Sequence, residues 1–349
     1  EGGIRRPFII RWPGVSEAGK VDDKTVVCAV DLLPSLCKIA KARLPKGYRS
    51  SGEDMSKTLL GTPSGRKGDL MWDFGRNEAF MFPRDKYHHR PSLAIRRGDW
   101  KLLVNPDGAD AELYNDAVGA PSPHRRRTAV TPVNDPTPHN MNNRMIPAGK
   151  IGLGASLALL SGSAAQAAKP AAKQTPKRPN IVLVIADDCR HYDLGCYGSP
   201  DAITPNIDRL ASQGIRFDCF FQATAMSSPT RHCLLTGLYP VRSGAYPTHT
   251  RLDDGVQTLP KYLKDAGYRV ALQGKRHIAP IEAFPFEYLS EESLRSVHPE
   301  KIEPFLADVA RTGAPFFLYV GSTEPHAPWA LGDQRHWNPA DLPLPCNLV

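Results

Sequence analysis

At 349 residues, with 41% hydrophobic and 23% charged side chains, the chain has the size and composition of a soluble globular protein with one large α/β domain or two ordinary ones. The net charge of +8 does not argue for nucleic acid: much of it lies in two low-structure runs, His124 to Arg127 and Lys169 to Arg178, with no interleaved aromatic platforms and no nucleic-acid-binding motif. Seven cysteines in no CxxC or zinc-finger spacing argue against a complete disulfide framework and read as small buried apolar residues.

In chain order, Glu1 to Asn115 reads as a first globular piece. The 33 prolines of the chain point to long fixed loops, and no repeat of solenoid period is present. Residues 116–140, rich in proline, arginine and polar side chains, have neither helical nor strand periodicity and read as an unstructured junction. Residues 141–167 have the layout of a secretory signal peptide: Arg144 and Lys150, an apolar run from Ile151 to Leu160, then Ala165-Gln166-Ala167 as a cleavage site. The run is too short to span a bilayer comfortably, so no stable membrane span is expected. Export to the periplasm or beyond, in a bacterium, is the expectation for the residues after this leader. A leader inside a chain is out of place, and it divides the sequence into 1–115, 116–140, 141–167 and 168–349.

The second piece alternates strand and helix. Ile181 to Ile185 is a continuous β-branched apolar run, as expected of a buried central parallel strand. Thr204-Pro205 opens an amphipathic helix (Ile207, Leu210, Ala211) that Gly214 closes. A strand comes next at Ile215 to Phe221, then a helix from Thr258 to Ala266, a strand from Tyr268 to Leu272, a helix from Lys301 to Arg311 and a strand from Pro315 to Val320. Such alternation predicts a parallel-rich sheet flanked by helices. In such sheets chemistry collects beyond the carboxyl ends of the strands. There lie Asp187-Asp188, then Gly274-Lys275-Arg276-His277, then Glu324-Pro325-His326. Adjacent carboxylates repel unless a cation holds them, and hard oxygen ligands favour calcium or magnesium; a turn or helix cap is the alternative use of that pair.

Ser227-Ser228-Pro229-Thr230-Arg231-His232-Cys233-Leu234-Leu235-Thr236-Gly237 resembles the sulfatase signature C/S-x-P-x-R-x-x-x-L-T-G. With it come the Asp187-Asp188 segment, the GKRH motif at Gly274 to His277 and the PHAPW motif at Pro325 to Trp329, in the order and spacing of that family. The resemblance implies an alkaline-phosphatase-like α/β fold and a sulfuric ester hydrolase. It implies that Ser227 is oxidised to formylglycine by a maturation enzyme that accepts serine, and that the hydrated aldehyde is the nucleophile. A bare serine hydroxyl needs activation, and a plain serine sulfate has no easy way to release sulfate. It further implies that Asp187, Asp188 and residue 227 hold Ca2+, with Mg2+ as the alternative. Arg231 would stabilise the hydrate, Lys275 and His326 would meet sulfate oxygens, and His277 would hydrogen-bond residue 227 and assist proton transfer. Pro229 and Gly237 fit backbone roles at the two ends of the helix that presents Ser227.

Glu1 to Asn115 resembles the carboxyl-terminal region of the same family. Glu1 to Gly14 is similar to its EGG-x-R-x-P-x-x-x-x-W-P-G segment, Val30 to Ser35 to the helix after it, and Ala94 to Leu102 with Glu112 to Tyr114 to its small terminal sheet. This implies a small α+β subdomain with a structural role, Arg5 and Arg6 lying toward the substrate mouth. The order is then reversed, tail before leader before head, and a joining of two neighbouring gene products is favoured over a rearranged protein. The family places a second metal-binding Asp-Asn pair and a sulfate-contacting lysine between the PHAPW and EGG segments. That stretch is in neither piece, so the fold is expected to be incomplete and the chain inactive alone. The substrate expected by analogy is a sulfated carbohydrate. Two other readings remain: a phosphomonoester or phosphodiester hydrolase of the same superfamily, and an exported, non-catalytic binder of sulfated glycans with unmodified Ser227.

Overall fold

Three sheets with helices between them make up the computed structural model, which describes residues 3–74, 91–115, 127–129, 178–290 and 297–327. The parallel sheet runs in the order β12 (Glu287–Tyr288), β11 (Arg269–Gly274), β13 (Phe316–Ser322), β9 (Ile181–Ala186). A second sheet is an antiparallel meander of β4 (Leu70–Asp73), β5 (Leu93–Arg97), β6 (Trp100–Val104), β7 (Glu112–Asn115) and β8 (Arg127–Ala129). The third is built on β10 (Ile215–Phe221), with β1 (Arg5–Ile10) antiparallel to it and β2 (Lys20–Asp22) and β3 (Val27–Cys28) parallel to it.

The helices stand close to where their punctuation puts them. They are α1 (Leu32–Ile39), α2 (Ser56–Leu59), α3 (Pro205–Ser212), α4 (Ser227–Thr236), α5 (Pro240–Ser243), α6 (Leu259–Asp265) and α7 (Pro299–Thr312). Proline in the first turn opens α3, α5, α6 and α7, where its missing N–H removes no helical bond. Gly237 closes α4 at φ 66° and Gly313 closes α7 at φ 68°, left-handed positions that cost glycine nothing. One apolar core joins Leu33, Leu36 and Leu59 to Phe217, Leu235, Leu263, Phe284 and Tyr319.

The described residues up to 129 and from 178 onward make up one compact unit, and 130–177, which contains the signal-like stretch 141–167, lies outside the described residues. Two differences from the sequence expectations stand out. Ile215–Phe221 does not join the parallel sheet but takes β1, β2 and β3 as partners. Among the described residues β9 stands at an edge with Val182 55% and Val184 66% exposed, although its apolar run predicts a central strand. Ile207 and Leu210 of α3 are exposed as well, at 37% and 41%. Within the expected junction, β8 pairs with β7 in register Leu113↔Thr128. Such pairing uses backbone groups alone, so an open antiparallel edge accepts a segment without an apolar pattern. Among the described residues, no helix is long and apolar enough to cross a membrane.

Candidate active site

The parallel strands deliver their polar residues to one rim, as the sequence predicts. β9 ends at Ala186, so Asp187 and Asp188 emerge beyond its carboxyl end. β11 ends at Gly274 and hands on Lys275 and His277, and β13 ends four residues before His326. Gly274 and Gly321 face each other in register between β11 and β13. A Cβ on Gly274 would lie 2.1 Å from the Gly321 carbonyl oxygen, and one on Gly321 would lie 2.4 Å from the Lys275 oxygen. Glycine at both positions therefore lets these backbones close up beneath the rim.

α4 carries Ser227 in its first turn and Arg231 one turn later, on the same face. Ser227 Oγ donates to Asp187 Oδ1 at 3.0 Å, accepts from Arg231 Nε at 3.2 Å and lies 3.2 Å from His277 Nδ1. Arg231 is 1% exposed. Its Nη2 donates to Asp187 Oδ1 at 3.1 Å, and its Nη1 to the Tyr319 hydroxyl at 2.6 Å and the Lys275 carbonyl at 3.2 Å. The Lys275 ammonium is hydrogen-bonded to Asp187 Oδ2. Ser227, Arg231, Lys275, His277 and Asp187 thus form one connected cluster.

Asp188 and His326 stand apart from it. Asp188 sits at φ 57° with its side chain 52% exposed, and its Oδ2 is 3.7 Å from His326 Nε2. His326 Nδ1 is 2.5 Å from the Ala327 carbonyl oxygen, and the contacts described for His326 do not include Ser227. Of the PHAPW motif, Pro328 and Trp329 lie outside the described residues. Arg6, assigned by its family motif to the substrate mouth, reaches this side of the site. Its Nη1 donates to the Cys189 carbonyl at 2.8 Å, and burial lowers its pKa against the attraction of Asp188 and Asp187. Arg5 turns instead to the Asp218 carbonyl, at 2.7 Å.

The electrostatics derive from burial. Removal from water alone would raise the Asp187 pKa; Arg231 and Lys275 reverse that and hold it below the ordinary carboxylate value. Burial, with Lys275, His249 and Arg231 adding positive charge, pulls His277 down to about 4, so its imidazole is neutral at pH 7. Neutral imidazole can accept a proton, which an imidazolium cannot.

Three supporting residues escaped the sequence reading. His249 Nδ1 lies 3.1 Å from His277 Nε2, and no spacing pattern announces it. Tyr319 is the one phenol in an apolar strand, a weak signal that a polar partner waits inside. His232, within the signature, ties α4 to the loop after β11: its Nδ1 lies 2.8 Å from the Ser228 carbonyl, and its Nε2 accepts from the Ala279 N–H at 3.0 Å.

For a divalent cation the donors are half suitable. Asp187, Asp188 and the Ser227 hydroxyl are hard oxygens, as Ca2+ and Mg2+ prefer. Yet both Asp187 oxygens are already engaged by Lys275, Arg231 and Ser227, and among the described residues no group of three or more His, Cys, Asp or Glu could hold a metal. These residues fit one side of a cation site and do not complete it.

The family model described as Sulfatase matches residues 179–337. An ulvan-active sulfatase of Formosa agariphila is 32% identical over 169 residues, 48% of this chain and 34% of that protein. An N-acetylglucosamine-6-O-sulfatase of Bacteroides thetaiotaomicron is 40% identical over 35% of this chain and 22% of its own length. A human N-acetylgalactosamine-6-sulfatase is 42% identical over 31% and 23%. The match to the family model is thus confined to residues 179–337, and the chain spans about a third or less of the length of these relatives. The solved complex of BT4656 with D-glucosamine-2-N,6-O-disulfate aligns at a TM-score of 0.43 and 30% identity, over 49% of this chain and 40% of that one.

Proposed function

We propose that this site hydrolyses sulfate esters, with residue 227 as the nucleophile after conversion of Ser227 to formylglycine. The observation that carries the reading is the Ser227 hydroxyl, which meets an anion, a cation and a neutral imidazole at 3.0–3.2 Å. A lone serine would need one activating base. Three converging groups suit a carbon that bears two hydroxyls, one to attack sulfur and one to let the bound sulfate leave by collapse to the aldehyde.

In this reading Arg231, fixed by Asp187 and Tyr319, holds the oxygens of residue 227 in place and offsets charge that builds there. His277, neutral at pH 7, accepts the proton that the nucleophile loses. Lys275 shifts from Asp187 to a sulfate oxygen, and His326 approaches from the other side through the Asp188 loop. Fixed donors of this kind matter most where negative charge moves in the transition state. A Ca2+ or Mg2+ ion would take Asp187, Asp188 and the oxygen on residue 227 as part of its shell and would polarise the sulfate.

The substrate class we propose is a sulfated carbohydrate, since the relatives are a sulfatase named for ulvan and two named for hexosamine sulfates. The reading extends to export through the leader at 141–167 and to a formylglycine-generating enzyme as a partner in maturation. Mass spectrometry of the Ser227 peptide from the source cells tests the core of the reading: the aldehyde form supports it, and quantitative unmodified serine sinks it. Because the expected Asp-Asn pair and second lysine are in neither piece, the purified 349-residue chain is predicted to turn over neither 4-nitrophenyl sulfate nor the phosphate analogue. Phosphate turnover without sulfate turnover would favour the phosphatase reading.

A further inference from the structure

β10 takes every one of its strand partners from the opposite end of the chain. β1 pairs with it from Arg5↔Phe221 to Ile10↔Ile215, while β2 and β3 share its other edge. Phe217 at 0% and Phe220 at 5% exposure share a core with Val27, Leu33 and Leu36, and Phe221 at 3% shares one with Ile4, Cys28 and Val30. Phe8 stacks on Phe220 at 4.4 Å between centroids. The helix that carries Ser227 is covered in the same way, since α1 lies against α4 and both Leu33 and Leu235 are fully buried.

The polar seam is closed as well. The Tyr48 hydroxyl donates to the Thr236 carbonyl at 2.6 Å, the Ser51 N–H to the Gly237 carbonyl at 2.8 Å, and Trp72 Nε1 to the Gln222 carbonyl at 2.7 Å. No slack remains at Gly214, where a Cβ would stand 2.2 Å from the Ile10 carbonyl oxygen. Apolar centre, satisfied polar groups and close fit are what distinguish a recognition surface from incidental contact.

We infer that residues 3–115 and 178–327 are two halves that recognise each other through this surface, and that the molecule stays one particle when the connection between them is cut. The partner that β10 and α4 accept is a strand-turn-helix unit of the β1 to α1 kind, and the helix bearing Ser227 is completed only when that unit is in place. The two halves therefore associate whether they arrive on one polypeptide or on two. A covalent link raises the effective concentration of one half near the other.

The test uses the full chain with a specific protease site inserted between residues 130 and 177. After complete cleavage, native mass spectrometry and gel filtration at micromolar protein are expected to give one particle containing both fragments, with hydrogen exchange of β10 amides as slow as in the uncut chain. Two separate masses, or rapid exchange in β10 after the cut, overturn the inference. Phe217→Asp in the same cleavable chain is expected to release the fragments upon cutting. Fragments of that variant that stay together would place the association elsewhere and overturn the surface assigned. Should Phe217→Asp prevent folding before the cut, the milder Gly214→Ala variant, expected to weaken the fragment complex at least tenfold, takes its place; an unchanged complex counts against the surface. Mass is the readout, so the outcome stands apart from the fate of the sulfatase reading.

Discussion

Among the described residues, β10 is paired on both edges by strands from the far end of the chain and buries three phenylalanines, whereas β9 is paired on one edge only and leaves Val182 and Val184 55% and 66% exposed. Both segments are rich in apolar side chains, so composition alone predicts the same burial for both. The difference shows that an apolar strand states a demand for cover without naming the element that meets it. Here the demand of β10 is met by residues 5–28 and half of that of β9 is left open. The site inherits the contrast. Asp187 and Arg231 sit on the closed side with side chains 5% and 1% exposed, while Asp188 and His326 sit on the open side at 52% and 40%.

The sharpest break of this comparison is a matched pair of truncations. Phe217→Ala removes a fully buried ring from the shared core and is expected to cost about 3–5 kcal/mol in urea unfolding. Val184→Ala on β9 is expected to stay within about 0.5 kcal/mol, as substitutions at exposed positions usually do. Equal costs would mean that β9 is covered in solution after all. Arg231→Leu comes next. It leaves Asp187 buried with Lys275 as the cation hydrogen-bonded to it and removes the partner of the Tyr319 hydroxyl, so a loss of about 3 kcal/mol is expected in the same measurement. A change below about 1 kcal/mol would mean that the Arg231 network is a surface-like ion pair.

What the sequence disclosed divides along the same line. Strand ends and helix caps arise from local chemistry, and so the rim of Asp187, Lys275, His277 and His326 was legible from their order after apolar runs. Ser227 and Arg231, four apart on a helix, share a face by periodicity alone. The pairing of β1 with β10 was not legible, because the sequence order places a leader-like stretch between the two pieces and long-range pairing leaves no periodic trace. His249 was hidden for a related reason. It reaches His277 from an irregular loop at φ 63°, a position that no spacing rule encodes.

The pH response sharpens the closed half of the comparison. His277 has a folded pKa of about 4 against 6.5 for the free side chain, so the folded state binds its proton more weakly than the unfolded one. Its contribution to stability is therefore complete above pH 6.5 and is lost as pH falls from 6.5 toward 4. Asp187, depressed below 3.8, adds a further loss at still lower pH. Urea midpoints between pH 7 and pH 4 are expected to fall, and His277→Asn is expected to flatten the slope between 6.5 and 4. A wild-type His277 resonance that titrates near 6.5 would contradict the buried, cation-flanked setting.

The smallest expected effect on stability probes the open half. Val182→Lys with Val184→Lys puts two charges on the exposed face of β9, where each ammonium can stay in water on its flexible stem. The folding free energy is expected to move by less than about 0.5 kcal/mol per site. Binding of an apolar dye and concentration-dependent association should drop together, because edge lysines block strand-to-strand addition and the replaced valines belong to the exposed apolar surface. Unchanged dye binding would move the sticky surface to Ile203, Ile207 and Leu210 on and beside α3, which are 76%, 37% and 41% exposed. A loss of several kcal/mol would mean that both faces of β9 are buried in solution, and the contrast with β10 would vanish.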